Sequence, residues 1–124
     1  MERLAQADPN NAGWQRDLSI SYERVGNVLV AQGNLTEALK SFRDTLAIME
    51  RLAKAYPSNA GWQRDLAISN ERLGNIYIER KETDEAKAAF ERALAIYDEL
   101  TARFPDDTFA LVNSTVPLMR LGEL

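Results

Sequence analysis

The feature that most constrains this chain is an internal repeat of 48 residues. Residues 1–48 align with residues 49–96 without a gap, and roughly 27 of those 48 positions are identical. The longest identical block is Asn11–Leu18 against Asn59–Leu66, and a weaker third copy starts at Tyr97. A repeat of this length is typical of stacked supersecondary units, none of which can bury its apolar face alone.

Each unit is predicted to contain two helices. The first spans about residues 11–32 and ends at Gly33, because glycine tolerates the left-handed conformation of a helix C-cap. The second begins after Asn34, which resembles a capping residue with Glu37, and ends before Pro57. In the second unit the helices span about residues 59–80 and 83–104, with Ser58 or Asn59 as the cap. The predicted core positions of the first unit are Trp14, Leu18, Tyr22 or Val25, Leu29, Leu35, Ala38, Leu39, Phe42, Leu46, Met49, Leu52 and Tyr56.

Two places depart from this regular pattern. The second unit has Arg80, Lys81 and Glu82 where the first has a glycine turn, and the loss of glycine predicts a less regular turn. Pro117 aligns with Ser69 inside a predicted helix. Because an interior proline costs about 3 kcal/mol or more, we expect the last helix to be kinked, late-starting or frayed.

Composition and charge exclude several classes of function. The net charge of −4 and the dispersed basic residues, many beside an acid as in Arg16-Asp17 and Glu23-Arg24, predict a solvated surface and no nucleic-acid binding. No stretch is long and apolar enough for a membrane span. The chain has no His and no Cys, so the commonest general base and thiolate metal sites are absent. We therefore predict a cytoplasmic protein that is not an enzyme, with no catalytic residues, no metal and no cofactor.

The two units share a pattern of aromatic, glycine and alanine positions, each followed by a terminal proline. These positions are Tyr22, Val25, Gly26, Leu29, Ala38, Phe42 and Thr45 in the first unit, Asn70, Leu73, Gly74, Tyr77, Ala86, Phe90 and Ala93 in the second, and the terminal Pro57 and Pro105. This pattern resembles the signature of the tetratricopeptide repeat family. The usual unit has about 34 residues. The longer unit found here is similar to long-helix variants such as kinesin light chain repeats and related bacterial arrays.

The resemblance implies an all-α fold, a right-handed α-solenoid of antiparallel helix–turn–helix repeats. Its predicted segments are the end of a preceding second helix (residues 1–8), a first repeat (11–56), a second repeat (59–104) and a partial third repeat (107–124). The chain is accordingly predicted to be a segment of a longer array. The resemblance also implies that Phe42 and Phe90 fill the space between units, while Gly26 and Gly74 allow close helix approach. The two tryptophans, Trp14 and Trp62, are expected to cover the lengthened seam between helices.

The candidate binding site is a stripe of residues at spacings of three and four on the two first helices. By resemblance this stripe lines a concave groove that binds a peptide or a partner protein. It consists of Arg16, Ile20, Glu23, Asn27 and Val30, with Arg64, Ile68, Glu71, Asn75 and Ile78 as their copies. Glu23 and Glu71 stand where the family's carboxylate clamp has lysine, so the predicted ligand is apolar and basic.

Other interpretations remain open at this level. The stripe residues are also explained by recent duplication, with Asn27 bonded to a neighbouring unit and Glu23 paired with Arg24 or Arg16. The chain could instead be a regulatory or sensor segment of a larger multidomain protein. A third alternative is a self-association module, in which exposed ends of the units form a homodimer.

Overall fold

Six helices form an all-α solenoid in the computed structural model, which describes residues 11–106 and 108–124. Their bounds are α1 Ala12–Ala31, α2 Leu35–Ala55, α3 Ala60–Glu79, α4 Thr83–Arg103, α5 Thr108–Asn113 and α6 Thr115–Glu123. Within those ranges no strand occurs. The helix end predicted for residues 1–8 lies outside the described residues.

Asparagine side chains begin three of these helices. The Oδ1 atoms of Asn11 and Asn59 each accept a hydrogen bond, of 3.0 Å, from the backbone N–H of the tryptophan three residues later. Asn34 accepts a longer bond of 3.3 Å from the Glu37 N–H. Such bonds satisfy backbone donors that the first helical turn leaves without a partner. Asn59, rather than Ser58, is therefore the cap of α3.

The turns inside the two units have the same geometry despite their different sequences. Gly33 has φ of 78° and Lys81 has φ of 63°, so both lie in the left-handed region. Each donates its N–H to the carbonyl three residues earlier, Val30 or Ile78. The predicted irregular turn is therefore wrong. What the second unit loses is the side-chain cap, since Glu82 makes no such bond to the start of α4.

The main core lies between the units and is built around two phenylalanines. Phe42 and Phe90 are buried, and they pack with Ala38, Leu39, Leu73, Ile76, Tyr77, Ala86 and Ala89. A Cβ atom added to Gly26 would lie 2.7 Å from the Phe42 ring, and one added to Gly74 would lie 2.7 Å from the Phe90 ring. These glycines thus permit the close helix approach that the sequence predicts. Trp62 packs against a second cluster formed by Ile48, Met49 and Leu52.

Two predicted core positions are exposed. Val25 is 52% exposed, whereas Leu73, its copy in the second unit, is 1% exposed. Leu73 is covered by α2, but no described element covers the same face of α1. Tyr22 is the half-buried alternative, packed on the second cluster. Tyr56 follows the last turn of α2 and is 45% exposed, so its assignment to the core is wrong.

The partial third unit has a broken first helix. α5 ends at Asn113 and α6 starts at Thr115, so Pro117 lies in the first turn of α6, where a missing N–H is tolerated. The Pro117 ring is buried, and both short helices pack against α4. The interruption expected at Pro117 is therefore a helix break that keeps the proline in the core.

Candidate functional site

The stripe residues of α1 and α3 meet at a cleft between the first two units. The cleft has a volume of about 130 Å³ and opens between these helices, with α2 behind it. Four predicted site residues line it: Arg16, Ile20, Glu23 and Ile68. The remaining stripe residues lie elsewhere. Asn27 and Asn75 are exposed, and Val30 and Ile78 pack on the edge of the main core.

Two ion pairs cross this cleft from one unit to the next. Arg16 Nε lies 3.8 Å from Asp65 Oδ2, and the Arg72 guanidinium contacts the Glu23 carboxylate. Burial lowers the pKa of Arg72, because desolvation disfavours its charged form. The partner of Glu23 is thus Arg72 of the second unit, and not Arg24 or Arg16. The charge of the Glu23 carboxylate is therefore already compensated by an arginine of the same chain.

Glu71, the copy of Glu23, has a different environment. The Tyr97 hydroxyl of α4 donates a hydrogen bond to its carboxylate, and burial raises the pKa of Glu71. The pKa of Tyr97 is also raised, first by burial and then by the adjacent carboxylate. Glu71 therefore interacts with a tyrosine, whereas Glu23 interacts with an arginine. The two glutamates are not equivalent as binding groups.

The hydroxyl groups inside the cleft are engaged with the backbone. Ser19 donates to the Arg16 carbonyl at 2.6 Å, and Ser69 donates to the Asp65 carbonyl at 2.9 Å. Thr45 of α2 reaches the Ser19 carbonyl at 3.2 Å and so ties the two helices together. These side chains act in packing, because their donor groups already have acceptors.

A second pocket, of about 410 Å³, opens beside the first at the N-terminal ends of the first helices. We call it the N-end pocket. It is lined by Arg16, Asn59, Gly61, Trp62, Arg64, Asp65, Ile68 and Phe109. The Arg64 guanidinium lies over the Phe109 ring, 5.0 Å from its centroid. Burial raises the pKa of Asp65, while Arg16 and Arg64 act in the opposite direction. The pocket therefore combines aromatic walls with two guanidinium groups and one carboxylate.

Sequence reasoning missed several residues of these sites, among them Trp62 and Phe109 as pocket walls and Asp65 and Arg72 as ion-pair partners. A signal existed for the last two. Asp65 is the repeat copy of Asp17, which directly follows the stripe residue Arg16. Arg72 is likewise the repeat copy of Arg24, which directly follows the stripe residue Glu23. Phe109 carries its own signal, because it stands where the two full units have glycine.

The described residues contain neither a metal cluster nor a membrane span. Residues 11–106 and 108–124 hold no group of three or more His, Cys, Asp or Glu side chains placed to bind a metal ion. None of the helices in these ranges combines the length and the apolar character of a membrane span.

Comparison with known proteins gives a family match. A family model described as tetratricopeptide repeat matches residues 17–99, about two thirds of the chain. No curated protein and no solved structure gives a significant match. The matched region contains three of the four ion-pair residues of the cleft, and Arg16 lies just outside it. It also includes Trp62 and Arg64 of the N-end pocket.

Proposed function

We propose a function for this chain, which belongs to the tetratricopeptide repeat family. It is a non-catalytic scaffold that binds a peptide or partner protein along its first helices. Repeats of this family generally mediate protein–protein contacts. The binding surface is the stripe on α1 and α3, on the concave side of the solenoid.

The observation that carries this proposal is the cleft between α1 and α3, together with the exposed amides beside it. Ile20 and Ile68 both line the cleft and offer apolar contact to a ligand. Asn27 and Asn75 lie further along the same two helices and are exposed. An amide side chain can both donate and accept, so it suits the backbone of an extended peptide. A doubled pattern of apolar and amide groups suits a ligand that crosses both helices.

The predicted preference for basic peptides depends on Glu23 and Glu71, and both carboxylates already have contacts within the chain. Glu23 already pairs with Arg72, and Glu71 accepts a bond from Tyr97. A basic ligand would have to displace one of these contacts. The preference stays a prediction, and a competition between acidic and basic peptides of equal hydrophobicity tests it. Stronger binding of the acidic peptide would contradict it.

Peptide-display selection against the chain and against the Asn27→Ala/Asn75→Ala variant tests the groove. We expect enriched peptides that bind the chain and lose binding in the variant. A matched control is Gln32→Ala, another exposed amide change, at the C-cap of α1. Peptides that bind both variants equally well would contradict the assignment of the groove.

Self-association is a second candidate, supported by exposed apolar residues at both ends of the solenoid. Val25 and Val28 are exposed on α1, and Leu118 and Met119 on α6. Light scattering across a range of concentrations tests this candidate, with Val28→Glu and Met119→Glu as disrupting variants. A monomer at all concentrations would contradict it. The role of a regulatory segment in a larger protein also stays a prediction.

A further inference from the structure

One face of α6 in the partial third unit is left uncovered by the residues that the structure describes. Leu118 is 53% exposed and Met119 is 65% exposed, and a Cβ atom added to Gly122 would have no neighbour within 4 Å. The three residues lie three and four positions apart, so they share one face of the helix. Contiguous exposed apolar surface of this kind is typical of an interaction site.

The second unit shows which element covers this face. The copies of the three residues in α3 are, in the same order, Asn70, Glu71 and Gly74. Arg92 Nε of α4 donates to Asn70 Oδ1 at 3.1 Å, and the Phe90 ring of α4 lies against Gly74. Glu71 also contacts α4, through the tyrosine described above. The face that is open on α6 is therefore the face with which a first helix contacts the second helix of its own unit.

The third unit differs from its copy in having apolar side chains on this face. In the second unit the face carries the polar Asn70 and Glu71, although α4 covers it. In the third unit the same positions have Leu118 and Met119, although both are exposed. Water favours polar side chains at these positions, whereas a partner that buries them favours apolar ones. Methionine also adapts its shape to the surface that contacts it.

We propose that this face of α6 binds an amphipathic helix of a partner protein, with a phenylalanine ring over Gly122. The site goes beyond the proposed groove, because of its three residues only Met119 is the copy of a stripe residue. It also assigns Leu118 and Met119 a different occupant from that of the self-association candidate.

The two second helices of the chain show what such a partner carries. Both have a buried alanine four residues before the phenylalanine and a buried larger side chain seven residues after it: Ala38, Phe42 and Met49 in α2, and Ala86, Phe90 and Tyr97 in α4. These spacings place the three side chains on one face of a helix. At the last position the partner is expected to have an apolar residue like Met49, because the acceptor of the Tyr97 hydroxyl, Glu71, is replaced by Met119 in the third unit.

A second copy of this chain fits the open face less well than a separate helix does. The phenylalanines of α2 and α4 are buried within the chain, so neither helix can supply a ring without leaving its own unit. The exposed Val25 and Val28 of α1 are the copies of Leu73 and Ile76, which lie in the main core with residues of α2. The end of the solenoid at α1 thus also offers a face for a second helix, and two such faces do not complement each other.

A synthetic helix tests the site. The probe is a fluorescein-labelled peptide with the sequence of α2, Leu35–Ala55, and its control is the same peptide with Phe42→Ala. Alanine favours helix more than phenylalanine does, so weaker binding of the control does not come from loss of helix. We expect the probe to bind the chain and the control to bind about tenfold or more weakly, because the ring over Gly122 is lost. Fluorescence anisotropy measures both.

Substitutions in the chain locate the binding. Gly122→Leu fills the place of the ring and should weaken binding of the probe by about tenfold or more. The surroundings of Gly122 are open, so the new side chain leaves the fold intact, and circular dichroism verifies this. Glu79→Leu is the matched control, because it adds a leucine to an exposed site of α3. Met119→Gln should weaken binding by less, since it removes only part of the apolar surface.

Three outcomes would overturn the proposal. The probe and its Phe42→Ala control could bind equally well, or Gly122→Leu could bind the probe as tightly as the parent chain does. Light scattering could also show a dimer that Met119→Gln dissociates, which would make a second copy the occupant. The Asn27→Ala/Asn75→Ala variant should bind the probe as the parent chain does, so failure of the groove and failure of the α6 site are distinguishable.

Discussion

The two junctions of the solenoid lie at equivalent positions of the repeat, yet they are held together differently. The first junction, between the α1–α2 and α3–α4 units, is crossed by the ion pairs Arg16–Asp65 and Glu23–Arg72. The second junction, between α3–α4 and α5–α6, has Asn113 and Arg120 where the first has Asp65 and Arg72. Among the residues that the structure describes, neither ion pair is reproduced there.

The helix break explains part of this difference. Arg120, the copy of Arg72, lies on α6 and pairs with Glu123 at 3.5 Å, not with Glu71. Asn113 donates to the Phe109 carbonyl of its own helix. Across this junction Phe109 of α5 lies under Arg64 of α3, while Glu71 is bonded by Tyr97 of its own unit. The comparison teaches that sequence identity between repeats does not carry over to their contacts, because each contact across a junction depends on residues of two units.

Loss of a core phenylalanine is the largest effect expected at either junction. Phe42→Ala and Phe90→Ala should each lower the free energy of unfolding by about 3–5 kcal/mol, since both rings are buried against a glycine of the first helix. Urea denaturation measures the loss, and the exposed Val28→Ala serves as the control. A much smaller loss for Phe90→Ala than for Phe42→Ala would show that α5 and α6 pack less closely against the second unit than α3 packs against the first.

Exchange of the turn residues tests whether the units differ in backbone strain. A residue with a side chain costs roughly 1–2 kcal/mol in the left-handed conformation that Gly33 and Lys81 adopt. We expect Lys81→Gly to raise the unfolding free energy by about 1 kcal/mol and Gly33→Lys to lower it by a similar amount. Thermal unfolding followed by circular dichroism measures both. Equal stability of Lys81→Gly and the parent chain would contradict the expected strain.

The same substitution at the two glutamates should have different effects on stability. Glu23→Gln breaks the pair with Arg72 and should cost about 0.2–1 kcal/mol at pH 7, the usual range for a partly exposed pair. Glu71→Gln removes a desolvated carboxylate while leaving an acceptor for Tyr97, and it should leave stability at pH 7 unchanged or slightly higher.

The pH dependence gives the sign of this second effect. Because the pKa of Glu71 is higher in the folded state than its ordinary value of 4.5, the folded state binds more protons in that window. Glu71 therefore makes the chain lose stability as the pH rises through the window above 4.5, and Glu71→Gln should weaken this trend. Asp65 contributes with the same sign in both proteins, so the difference isolates Glu71. Urea denaturation at pH 4–7 measures it, and identical pH profiles would contradict the assignment.

Much of the fold follows from features that act within a helix or its ends. The cap at Asn34, the turn at Gly33 and the buried Phe42 and Phe90 depend on local spacing, and the sequence predicted them. The left-handed Lys81 was not predicted, because packing of the flanking helices overrides its local preference. The burial of Pro117 likewise depends on how α6 meets α4.

The candidate site was predicted less completely than the fold. The spacing of residues along one helix identifies a stripe within one unit, but it gives no contacts between units. Four of the stripe residues, Arg16, Ile20, Glu23 and Ile68, line one cleft in the structure. The spacing did not reveal that Arg72 neutralises Glu23, since this contact depends on how far apart two units stack. The exposure of Val25 is a similar case, as the face it occupies is buried only when another unit covers it.

The ion pairs of the first junction have a consequence for how such a chain can grow. Arg16 and Asp17 are neighbours in one unit, and so are Glu23 and Arg24, while Asp65 and Arg72 are the copies of Asp17 and Arg24. Each of the two full units therefore carries one half of both pairs for a unit after it and the other half for a unit before it. A tandem duplication of this segment creates a compatible connector at once, with no compensating mutation. Its head-to-tail polarity also leaves the contact open to further copies, as heterologous interfaces do.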